Sequence, residues 1–188
     1  MNRAQALDLL HEKMQNQNLR RHCYAVEAVM RALAKHFKED EEAWGIAGLI
    51  HDVDYEEVKE TAKTDHTVVA MKWLEELDAH VDIKDAVAAH AWNYLESAPK
   101  PKTKMQWSLY CCDELTGFIV AVALTRPDKK LESVTVESIL KKWNQKGFAA
   151  GVHRPQIEMC EEKLGIPLKE FIDIALKAMQ AVNTQLGM

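Results

Sequence analysis

Three observations predict an all-α fold. Apolar residues recur at steps of three and four, as along Leu19, Cys23, Val26, Met30, Leu33 and Phe37, which is the spacing of one helix face. Start and stop signals fall between such stretches: Asn2 and Gln5 in capping-box spacing, Gly147 and Gly165 as stops, Pro155 and Pro167 as openers. The one run that a strand could claim, Phe118 to Leu124, continues a helical pattern from upstream. With 188 residues, 47% of them hydrophobic, the chain suffices for one compact domain over 1–188 that buries roughly 70% of its unfolded surface.

The first helix is expected at about 2–14, with Ala6, Leu9, Leu10 and Met14 on one side, as a lid or packing helix. The second, about 18–37, carries the stripe quoted above. His22 shares it, three after Leu19 and four before Val26. The third, about 40–51, holds Trp44, Ala47, Leu49 and Ile50 and ends on His51-Asp52. Asp54, Glu56 and Glu57 read as a solvated acidic loop.

The fourth helix is predicted to begin at Thr64 or Asp65, either of which can cap it, and to run to Leu77. His66 then falls in its first turn, where the helix dipole disfavours imidazolium and keeps the ring neutral. The fifth, about 82–95, aligns Ile83, Ala86, Val87 and His90, with Trp92 pointing elsewhere. Two prolines and three lysines in 97–104 make an exposed loop. It is followed by a long helix, about 103–125, with Leu109, Asp113, Thr116 and Val120 on one face. Burying an unpaired carboxylate costs several kcal/mol, so Asp113 needs a cationic partner or a raised pKa. Further helices are predicted at about 135–146, from Pro155 to Gly165, and from Pro167 onward. His11, His36, His80 and His153 lie off these faces and read as surface residues.

A single histidine on an apolar stripe is most simply a core ring hydrogen-bonded to a carbonyl. His22, His51 with Asp52, His66, His90 and Asp113 are six such residues on five segments. Imidazoles and carboxylates together are the ligands that zinc, iron and manganese accept.

In the order H…HD…H…H…D, with Arg21-His22, Gly48-Leu49-Ile50-His51-Asp52 and Cys112-Asp113-Glu114-Leu115-Thr116-Gly117, the chain resembles the HD-domain superfamily of metal-dependent phosphohydrolases. The motif core spans about 18–125. Thr125 to Lys130 and Gly147 to Val152 are similar to the small, bacterial-type members with HDIG-related domains. Val53-Asp54 stands where many relatives have Ile-Gly, a departure that leaves the ligands untouched.

The resemblance implies an HD-domain/phosphodiesterase-like helical bundle, with C-terminal helices over 135–186 packed on the motif core. It implies a divalent transition metal (Fe, Mn, Zn, Co or Ni) held by His22, His51, Asp52 and Asp113. In some relatives the two intervening histidines help to hold a second ion, and in others they face the phosphate; both roles are carried onto His66 and His90. The implied reaction is attack of metal-activated water on a phosphomonoester or phosphodiester of a nucleotide or other small metabolite. Asp52 takes the proton of the water, and His66 or His90 stabilises the phosphoryl oxygens. Lys59, Arg126, Lys129, Lys130 and Arg154 are candidates for holding a phosphate tail. Two alternatives share this residue set: a di-iron oxygenase of the same fold, and a non-catalytic, metal-stabilised nucleotide sensor.

The formal net charge of −5 argues against a nucleic-acid partner, which calls for a basic face. Cys23, Cys111, Cys112 and Cys160 form no C-x-x-C pair and read as reduced core residues of a cytoplasmic protein. Met1 to Asp8 holds no apolar signal segment. The apolar run Phe118 to Leu124 is too short to span a bilayer, so no membrane association is expected.

Overall fold

The computed structural model describes residues 1–188 and is built of helices without a strand. Two helices of 21 residues form its middle, α2 (Gln17–Phe37) and α7 (Lys104–Leu124). α3 (Glu41–Ile50) packs chiefly on α2, and α6 (Val81–His90) packs on both α3 and α7. α1 (Arg3–Lys13) covers α3, α9 (Arg154–Leu164) covers α7, and α10 (Leu168–Ala181) closes over α2 and α7. The remaining helices are short: α4 (Ala62–Asp65), α5 (Val68–Glu76), α8 (Val136–Trp143) and α11 (Asn183–Leu186).

Local chemistry accounts for the starts. Asn2 and Gln5 make the reciprocal capping box that their spacing predicts, and Thr103 with Gln106 makes another at the head of α7. Asn16 and Asp40 cap α2 and α3 through their side-chain oxygens. Each such cap stabilises by about 1 kcal/mol. Gly165, at φ 71, ends α9 in the left-handed conformation that glycine adopts without strain.

One contact sets the frame of the site. A Cβ at Gly48 would lie 2.9 Å from the carbonyl oxygen of Val26 and 3.0 Å from Cα of Glu27, so only glycine lets α3 approach α2 this closely. Beside it, the buried Glu27 accepts from Arg3 Nε at 2.6 Å and Arg31 Nε at 3.0 Å. A buried carboxylate needs such partners, and the Arg3 pair binds α1 to α2. α7 is the one helix long and apolar enough to cross a membrane by length and composition; 67% of that stretch is buried inside the protein, as in a core helix. Phe118, Leu115 and Ile119 on it are fully buried, each contributing about 1.5–3 kcal/mol.

Several boundaries depart from the pattern-based expectation. The fourth predicted helix is two, α4 and α5, broken at His66 and at Thr67, whose φ is 64. A β-branched residue there is strained by about 1–2 kcal/mol. His66 therefore precedes α5 instead of lying in its first turn. α6 stops at His90, short of 95, because Asn93 turns the chain at φ 66. α8 ends at Trp143, before Gly147, and a turn at Val182 separates α10 from α11. All four cysteines are free and buried.

Candidate metal centre

Each of the six polar residues is delivered by a different mechanical device. His22 sits in the second turn of α2, and Asp113 is in the middle of α7. His51 caps the C-terminus of α3, and Asp52 follows it in the turn. His66 stands in the strained break before α5, and His90 ends α6. Their side chains meet. Nε2 of His22 lies 3.0 Å from Asp113 Oδ1 and 3.2 Å from Nε2 of His51, and His51 Nε2 is 3.5 Å from the same carboxylate oxygen. Nε2 of His66 and Nε2 of His90 are 3.0 Å apart.

Asp52 joins the two pairs. Its Oδ1 is 3.3 Å from His90 Nε2 and 3.4 Å from His66 Nε2, while its Oδ2 is 3.6 Å from His51 Nε2 and 3.7 Å from His22 Nε2. Ligand atoms of His22, His51 and Asp113 lie within 4.8 Å of one another, as do those of His51, Asp52 and His90.

The orientation of the rings has a common cause. Nδ1–H of His51 donates to the Gly48 carbonyl at 2.8 Å, and that of His90 to the Val87 carbonyl at 2.5 Å. His66 donates Nδ1–H to Asp54 Oδ1 at 2.9 Å. His22 donates to Thr116 Oγ1 at 3.2 Å, and that hydroxyl donates in turn to the Asp113 carbonyl at 2.9 Å. With every Nδ1 so engaged, four Nε2 lone pairs face one another and two carboxylates. Such a set is repulsive alone and satisfied by cations, and outer hydrogen bonds of this kind orient metal-binding histidines. The donor set fits one or two divalent transition ions of imidazole and carboxylate preference.

Protons answer the same demand in the absence of an ion. Burial disfavours the charged His51 ring, but Asp52 and Asp113 outweigh it and lift the ring to about 9. The two carboxylates shift down: burial opposes this, and the surrounding histidines override it. Asp113 thus has in His51 the cationic partner that its position requires. His66, also opposed by burial, is shifted up by Asp54 and Asp52, the opposite direction to the one a first-turn position implies. His90 is lowered, mainly by burial. Glu114 is raised by burial and by its neighbour Asp113.

Asp54 corrects the acidic-loop expectation. It is fully buried, and its second oxygen accepts the backbone N–H of Ala70 at 2.9 Å. Thr116 is the other supporting residue whose role the sequence did not disclose, although it shares the face of Asp113. Glu56 also departs from a free loop, accepting from the backbone N–H groups of Gln15 and Asn16.

A cavity of about 430 Å³ opens onto Asp52, His66, His90 and Asp113. Tyr55, Trp92 and Tyr94 wall it, so Trp92 faces the site instead of pointing elsewhere. His153 is exposed, as expected, but stands on the rim.

The basic residues chosen for a phosphate tail do not line this cavity. Arg154 donates Nε to the Trp143 carbonyl at 2.7 Å and Nη2 to the Phe148 carbonyl at 2.5 Å, and lies over the Phe118 ring, clamping the turn after α8. Arg126 lines a separate pocket with Lys141 and Lys142, and it follows the end of α7, about 16 Å of helix rise beyond Asp113. Lys129 lines a groove behind His22 with Arg21. Lys59 is exposed on a 3-10 turn, and Lys130 is exposed on the loop after α7.

A family model for the HD domain matches residues 19–116, a stretch that holds all six convergent residues. None of the curated proteins compared matches the chain.

Proposed function

Because this chain belongs to the HD-domain family, we propose that it is a metal-dependent phosphohydrolase. Its substrate is a phosphomonoester or phosphodiester of a nucleotide or of another small phosphorylated metabolite. One observation carries this reading: the carboxylate of Asp52 turns one oxygen to His66 and His90 and the other toward His22 and His51. The arrangement suits a bridging ligand between two cation positions.

In this reading His22, His51, Asp52 and Asp113 would hold the primary ion, and His66, His90 and Asp52 would hold a second. An ion held there would supply an acidified water and neutralise charge on the phosphoryl oxygens. Asp52 is within reach of both positions and accepts the proton of the attacking water. Where only the primary ion is bound, His66, held by Asp54 at Nδ1, would face a phosphoryl oxygen through Nε2. Tyr55 and Tyr94 set ring edges against His66, with centroids 5.5 and 6.0 Å away, and shield it from bulk water. The leaving group occupies the cavity beyond.

The test is a phosphate-release screen over nucleotides, dinucleoside polyphosphates and sugar phosphates, with the protein loaded in turn with Mn, Fe, Co, Ni and Zn. Metal-dependent release that falls about a hundredfold or more in Asp52→Ala supports the reading. No release from any substrate, or undiminished release in that variant, overturns it. The two bridged half-sites also suit a di-iron centre that activates oxygen. Oxygen uptake by the reduced, iron-loaded protein without phosphate release would favour that second reading.

A further inference from the structure

The cavity over the metal centre has a hydrogen-bonding polarity of its own. Gln156 donates Nε2–H to the Tyr110 carbonyl at 2.7 Å, which leaves its Oε1 free. Asn93 donates Nδ2–H to the hydroxyl of the same tyrosine at 3.2 Å, so its Oδ1 is free as well. Glu114 accepts the backbone N–H of His153 through Oε2 at 3.1 Å, and its Oε1 has no protein partner. All three residues line the cavity. The Tyr110 carbonyl can only accept, which fixes the Gln156 amide, so Gln156 Oε1 and Glu114 Oε1 stand in the lining as two free acceptors.

The charge pattern agrees. No lysine or arginine is among the 12 lining residues, whereas Asp52, Asp113 and Glu114 are. Lys63 and Lys100 lie over the Tyr94 and Trp92 rings, at 3.7 and 5.3 Å from their centroids, outside the lining. Beyond the metal position, a di- or triphosphate tail would meet the Glu114 carboxylate with no lysine or arginine in the lining beside it. A flat ring would meet Trp92 and Tyr94, and about 430 Å³ lies within the range of small-molecule sites.

We propose that this cavity takes the nucleoside of a monophosphate whose base carries an exocyclic amino group, with Glu114 and Gln156 as specificity-determining residues. The proposal rests on the phosphohydrolase reading only for the place of the phosphate, at the metal centre. Amino and ring N–H groups satisfy free acceptors. An edge that lacks the amino group would leave an acceptor unpaired, a loss that discriminates between the two bases.

Calorimetric titration of the metal-loaded full chain with two matched pairs, guanosine against inosine monophosphate and cytidine against uridine monophosphate, tests it. The amino-bearing member of at least one pair is expected to bind about tenfold tighter, with that ratio falling toward unity in Glu114→Gln and Gln156→Leu. Equal affinities within both pairs, no binding of any of the four, or a preference unchanged in both variants overturns the proposal. Selective binding without phosphate release supports it and counts against the phosphohydrolase reading. Phosphate release without selectivity does the reverse.

Discussion

Asp54 accepts Nδ1–H of His66 through one oxygen and the backbone N–H of Ala70 through the other, both at 2.9 Å. It therefore holds the strained His66–Thr67 break and aims Nε2 of the ring at Asp52. In Asp54→Asn the amide can satisfy only one of these two donors and turns its own N–H toward the other. The expected result is a loss of about 1–3 kcal/mol of stability and about a 10- to 100-fold weaker hold on an ion at His66 and His90. Metal titration together with thermal unfolding of the variant checks both.

Gly48 makes the second prediction. A methyl group there meets the backbone of Val26 and Glu27, and backbone has no rotamer to give way. Gly48→Ala should push α3 from α2, separate His51 from His22, and destabilise by about 1–3 kcal/mol. A variant that unfolds at the wild-type temperature and binds metal with wild-type affinity would contradict the close-approach account.

Much of the site was readable as pattern. His22 and His90 fall on apolar stripes, and Asp113 falls on the inner face of a long helix, because helical periodicity reports which side of a helix is buried. Asp54 escaped because its burial depends on a partner after the next turn, and no local spacing records that. Arg154 and Arg126 were chosen for charge, but charge says nothing about direction: one guanidinium is spent on carbonyls, and the other lies beyond the C-terminal end of α7. The ends of α5 and α6 were set by Thr67 and Asn93, two non-glycine residues in left-handed conformations that their sequence context does not announce.

The third prediction concerns pH in protein stripped of metal by a chelator. The folded pKa of His51, about 9, exceeds its unfolded value of about 6.5. The proton therefore stabilises the fold fully below about pH 6.5, and that stabilisation is lost as pH rises through 9. The amount is on the order of 3 kcal/mol. The urea midpoint of the stripped protein should fall over this window. Metal-loaded protein, where an ion replaces the proton, should not show that fall. A stripped protein whose stability rises or stays level from pH 6.5 to 9 would contradict the assignment.

The most direct measurement is the metal content of purified protein beside that of Asp113→Ala. Asp113 lies 3.0 Å from His22 Nε2 and 3.5 Å from His51 Nε2, so its removal takes the carboxylate from the pocket both rings face. Wild-type protein is expected to carry tightly bound transition metal that survives dialysis, and the variant to lose it. A wild type that takes up no metal, or a variant that keeps the full complement, would contradict the convergence of these side chains on a cation.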